Sequence, residues 1–105
     1  MNVYAIEYIY DPDAEPQMAK IRPQHRNFLT QLFNEGTLLI GGAWIADNHD
    51  SATAKKPGAL LLMHTQSDKE ALEILHNDPF YINNFIIERT IHRWNPLLSP
   101  FDLEK

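Results

Sequence analysis

The sequence predicts an α+β domain in which a four-stranded antiparallel sheet carries two helices on one face. Three observations support this. Four segments are rich in β-branched and aromatic residues, two others place apolar residues at helical spacing, and the order is strand, helix, strand, strand, helix, strand. Six elements in that order form the split-βαβ, ferredoxin-like arrangement.

Val3 to Tyr10 reads as the first strand, stopped by Asp11-Pro12-Asp13. Asp11 to Met18, with two prolines, is expected to link it to a helix that opens at Pro23, where a missing N–H costs nothing. Phe28, Leu29, Leu32 and Phe33 give that helix an apolar stripe, and Gly36 closes it. Thr37 to Ala46 is the second strand, with Gly41-Gly42 in its middle signalling a bulge or the close approach of a ligand or backbone. Asp47 to Pro57 is a polar loop, and Ala59 to Thr65 the third strand. Ser67-Asp68-Lys69-Glu70 is a capping box opening a helix that turns Ala71, Leu72 and Leu75 inward. Asp78-Pro79 ends that helix, since a residue before proline disfavours the helical region. Phe85 to Trp94 is the fourth strand. Residues 1–95 thus form one domain, and 96–105 a C-terminal tail.

The strands do not alternate cleanly between apolar and polar residues, although a sheet with one wet face should. From Val3 to Tyr10 only Glu7 is charged, and Ala59 to Met63 is apolar throughout. Two helices cover one face, so a symmetric homodimer through the sheet faces is expected.

The chain has 105 residues, a net charge of −5 and no cysteine. No Lys/Arg cluster suits a phosphate backbone, so nucleic acid is not an expected partner. Disulfides and thiolate chemistry are excluded. The N-terminus does not read as a signal peptide and no apolar run would cross a bilayer, so no membrane partner is expected and the cytoplasm is the default compartment.

Among five histidines, no two have the helical spacing of a zinc pair. Asp47, His49 and Asp50 share a loop that reads as solvated, and no metal is expected there. No motif requires a cofactor. His25 is unusual because it lies on the same helix face as Phe28, Leu29 and Leu32. Near a helix start at Pro23, it would share the positive dipole end with Arg22 and could hold a carboxylate or enolate-like oxyanion. The plainer alternative is a semi-buried histidine bonded to backbone carbonyls. Asp78 before Pro79 has the form of an N-cap for a short turn at Phe80-Tyr81. Spacing alone does not pair Asp78 with His25.

Arg22-Pro23-Gln24-His25, Gly41-Gly42 and Asp78-Pro79-Phe80, in this order and with suitable elements between them, resemble the YciI-like (YCII-related) family over roughly Val3 to Arg93. The resemblance implies the dimeric α+β barrel superfamily, whose two sheets pack face to face. It also implies a catalytic dyad of His25 and Asp78, with Arg22, Gly41 and Gly42 lining one cleft. An Asp bonded to one imidazole nitrogen orients the ring and leaves the other as a general acid/base. Arg22 would meet a developing oxyanion, and Tyr8, Trp44 and Phe80 would supply aromatic walls. That chemistry suits lyase- or isomerase-type proton abstraction on a small phenolic, lactone or carboxylate substrate. The alternative is a non-catalytic dimeric module binding a small anionic metabolite.

Overall fold

The computed structural model describes residues 2–45 and 57–100. Most of the expected loop from Asp47 to Pro57, including Asp47, His49 and Asp50, lies outside them. The elements are β1 (Asn2–Tyr10), α1 (Glu15–Asn34), β2 (Leu38–Ala43), β3 (Gly58–Thr65), α2 (Asp68–Leu75), α3 (Pro79–Ile82) and β4 (Ile86–Trp94). All strand pairs are antiparallel, and the sheet order is β2-β3-β1-β4. This is the ferredoxin-like α+β fold expected from the order of elements.

α1 starts well before Pro23. Asp11 caps a short 3-10 turn over Pro12–Ala14 with its carboxylate on the Asp13 N–H, and the helix runs on from Glu15. Pro16 takes the early helical position assigned to Pro23, and Pro23 sits inside the helix. Its ring removes the bond to the Ala19 carbonyl, but both residues are exposed, so water can serve that oxygen. At the other end the expected glycine cap is present. Gly36 has φ 84°, and the N–H groups of Gly36 and Thr37 close on the carbonyls of Phe33 and Leu32 at 3.1 and 3.0 Å.

β2 ends at Ala43, earlier than expected, and its register irregularity falls between Leu38 and Ile40, just before the glycines. A Cβ on Gly41 would press on Leu61 at 3.1 Å and Leu38 at 3.3 Å, whereas one on Gly42 would meet nothing. Close approach therefore describes Gly41 alone. The capping box forms with a shift: Ser67 accepts the Glu70 N–H, and Glu70 reaches back to Gln66.

From Tyr4 onward, burial on β1 alternates despite its apolar composition, with Val3 buried as well. Tyr4, Ile6, Tyr8 and Tyr10 point into the core beneath the helices, with Leu61 and Met63 of β3 on the same face. The opposite face carries Val3, Ala5, Glu7 and Ile9, in register with Leu62 and Leu60 of β3 and with Trp94, His92, Thr90 and Glu88 of β4. Among the described residues no helix covers it, and Ile40, Leu60 and Trp94 are exposed there.

Candidate active site

The buried residues of α1 are Met18, His25 and Leu32, which at seven-residue spacing form a stripe facing the core. His25 is thus held in mid-helix. The expectation that it sits at a helix N-terminus is overturned, and with it the contribution of the helix dipole, which fades within the first turn. Phe80 replaces that support: its ring stacks on the His25 imidazole at 3.8 Å with a 4° interplanar angle. The edges of Tyr10 and Phe85 fix Phe80 in turn, at 5.4 and 5.7 Å.

Asp78 is fully buried. Pro79 holds it in extended backbone (φ −64°, ψ 126°), the geometry of an N-cap. Its Oδ1 accepts the Phe80 N–H at 2.9 Å and also lies 2.7 Å from His25 Nδ1. The cap and the contact to His25 were separate readings of the sequence, and one oxygen serves both. With Asp78 ionised the carboxylate can only accept, so chemistry assigns the hydrogen to His25 Nδ1 and the lone pair to Nε2. No described residue pairs with Nε2.

His25 opens on a cleft of about 770 Å³ between α1, β2 and the start of β3. Met18, Leu29, Phe33, Trp44 and Phe80 make its walls mostly apolar, and Gly41 and Gly42 form one edge. Three charged side chains line it as well. Arg22 is tied to both oxygens of Glu15, at 2.9 and 3.1 Å, so its charge is already matched. Arg26, on the same helix face one turn on, has no such partner among the described residues.

Residues 2–95 match the YCII-related domain. The chain belongs to that family. No curated protein matches it. This YCII-related domain is similar in fold to 5-chloro-2-hydroxyhydroquinone dehydrochlorinase (TftG) from Burkholderia phenoliruptrix AC1100, solved in complex with 2,5-dihydroxybenzoquinone. The TM-score is 0.73 and the identity 19%, over 89% of this chain and 93% of that one.

Of the residues the sequence nominated for this YCII-related domain, His25, Arg22, Gly41, Gly42, Trp44 and Phe80 line the cleft, and Asp78 stands directly behind His25. Tyr8 does not line it. It is fully buried on the inner face of β1, because even-numbered β1 residues turn into the core, and Tyr10 takes the expected place beside Phe80. Burial first, and the Asp78 carboxylate second, push both phenols above their ordinary value of 10.0, so each is a neutral hydroxyl. Glu15 and Arg26 were overlooked. Their signal was spacing, with Arg26 four residues after Arg22 and Glu15 two turns before it. Among the described residues no three His, Asp or Glu side chains gather as a metal site. No described helix is long and apolar enough to cross a membrane.

Proposed function

We propose that this domain is a small-molecule enzyme in which His25 Nε2 takes up or returns a proton and Asp78 orients and balances the ring. The observation that carries this is the 2.7 Å contact between His25 Nδ1 and a fully buried carboxylate, on a histidine that itself lines a mostly apolar cleft. A satisfied structural histidine needs no cleft, and a cap needs no histidine. Proton abstraction from a phenol O–H, or from C–H beside a carbonyl, leaves an anion. Arg26 would stabilise its charge, with Arg22 contributing less while it stays paired to Glu15, and Trp44 and Phe80 would hold its ring. The substrate class is accordingly a small phenolic, lactone or carboxylate compound, with lyase- or isomerase-type turnover. The dehydrochlorinase of similar fold, bound to a dihydroxylated quinone, suits the same class.

Incubation of wild type and His25→Ala with small hydroxylated aromatics and lactones, followed by product analysis, tests the proposal. Turnover by wild type and its loss in a folded His25→Ala is expected. A ligand that binds and is recovered unchanged, or turnover that survives the substitution, overturns it in favour of a binding module or other chemistry. We also propose a homodimer through the bare sheet face, where Ile40, Leu60 and Trp94 are exposed. Light scattering is expected to give twice the chain mass of 12.2 kDa, and a clean monomer contradicts it.

A further inference from the structure

Behind the dyad, three buried polar atoms have no hydrogen bond of good geometry among the described residues: Asp78 Oδ2, the Tyr8 hydroxyl and Arg89 Nη1. They belong to one neighbourhood. Tyr8 and Arg89 are direct partners across the β1–β4 ladder, so both side chains leave the sheet on its inner face. The Arg89 guanidinium lies 4.7 Å over the ring of Tyr81. Tyr81 belongs to the short helix that Asp78 caps and donates its backbone N–H to the Asp78 carbonyl at 2.8 Å. Nη2 of the same guanidinium meets His76 Nε2 at 3.2 Å, and His76 stacks on Tyr81 at 4.6 Å. Arg89 is therefore clamped from the surface side, which leaves Nη1 turned inward. The Tyr8 phenol feels both neighbours, the Asp78 carboxylate raising its pKa and the Arg89 guanidinium lowering it.

The chemistry of the three atoms is complementary. Asp78 Oδ1 already holds two contacts, while Oδ2 holds none. A buried carboxylate oxygen left without a partner is costly. The two other atoms are donors, one on a guanidinium that keeps its proton at any ordinary pH. Buried groups of this kind find partners, either directly or through a shared water.

We propose that Arg89, acting with the Tyr8 hydroxyl, is the positioning residue of the His25–Asp78 pair: it supports the far oxygen of Asp78 through a shared water and holds the carboxylate charged. This rests on reading the pair as a proton-transfer unit. His25 keeps its hydrogen on Nδ1 only while Asp78 is a carboxylate. Were Asp78 protonated, its O–H would donate to Nδ1, and Nε2 would carry the hydrogen instead of the lone pair. Arg89 is not among the residues that line the cleft, and acts through Asp78. The charged and titratable groups around the pair are Arg22 and Arg26 from α1, with Glu15 bound to Arg22, Tyr8 and Tyr10 from β1, Arg89 from β4, and His76 just beyond α2.

The test is a carboxyl 13C titration of Asp78 by NMR in the intact protein, with 15N shifts reporting the His25 tautomer. Wild type, Arg89→Met, Arg89→Lys and Tyr8→Phe are compared. Met keeps the apolar stem of Arg89 and removes the charge. The Asp78 midpoint is expected to rise in Arg89→Met, where the nearby positive charge is lost, and to return toward wild type in Arg89→Lys. An unchanged midpoint in folded Arg89→Met overturns the proposal. Should that variant fail to fold, Tyr8→Phe decides: losing one donor raises the midpoint, and no change overturns the proposal. If Asp78 and His25 titrate independently in wild type, the reading of the pair itself fails. If they are coupled in wild type and Arg89→Met leaves them unmoved, only the role of Arg89 fails.

Discussion

Replacing Asp78 by Ala, Ser and Asn in turn separates its two roles, capping α3 and holding His25. The carboxylate is fully buried, and one oxygen makes both contacts, at 2.9 Å to the Phe80 N–H and 2.7 Å to His25. A lost N-cap costs about 1 kcal/mol. A lost hydrogen bond to a charged group costs about 1.5–3 kcal/mol. Asp78→Ala should therefore cost about 2.5–4 kcal/mol, less whatever is regained by no longer burying the unpartnered second oxygen. Ser has the shorter side chain. It can accept the Phe80 N–H but not span to His25, so it should recover only about 1 kcal/mol. Asn restores the cap and a neutral bond to the imidazole, and should fall between Ser and wild type. Urea unfolding at pH 7 reads the series as shifts in midpoint at constant slope. A Ser variant as stable as wild type would refute the reasoning, because the contact to His25 would then contribute nothing and Asp78 would be a cap alone.

Two further outcomes are expected. Gly58→Ala should cost about 3 kcal/mol, because the new Cβ would be driven onto the Tyr8 carbonyl, while Gly42→Ala meets open space and should be near neutral; equal effects in thermal melts would contradict this. The buried phenols of Tyr8 and Tyr10 bind their protons more tightly folded than at the ordinary value of 10.0. Their contribution to stability is complete below that pH and is lost as pH rises through the folded values. Unfolding free energy should thus fall above about pH 10, and less steeply in Tyr10→Phe; identical alkaline profiles would show that Tyr10 does not contribute.

The order of strands and helices, the capping box and the glycine cap after α1 were legible because each is written in local sequence. The start of α1 was not. Two prolines, Pro16 and Pro23, both suit an early helical position, and the choice was made by Asp11 capping a turn that runs straight into the helix. Solvent around Pro23 and Ala19 can serve the carbonyl that an interior proline leaves without its hydrogen bond. At the site, His25 was legible as an inward-facing polar residue on an apolar stripe. Its pairing with Asp78 spans 53 residues of chain, and only the family resemblance connected them. Tyr8 was misplaced because a strand with apolar residues on both faces hides which set points inward. The role of Arg89 depends on strand register, which sequence spacing does not show.

The His25–Asp78 pair as one proton-transfer unit is tested most directly by 15N NMR of the His25 ring across pH, in wild type and in Asp78→Asn. Wild-type His25 is expected to carry its neutral-state hydrogen on Nδ1 and to take up the second proton at lower pH once the carboxylate becomes an amide. Curves that coincide, with the hydrogen on Nε2 in both, would contradict it and leave Asp78 as a helix cap beside a structural histidine.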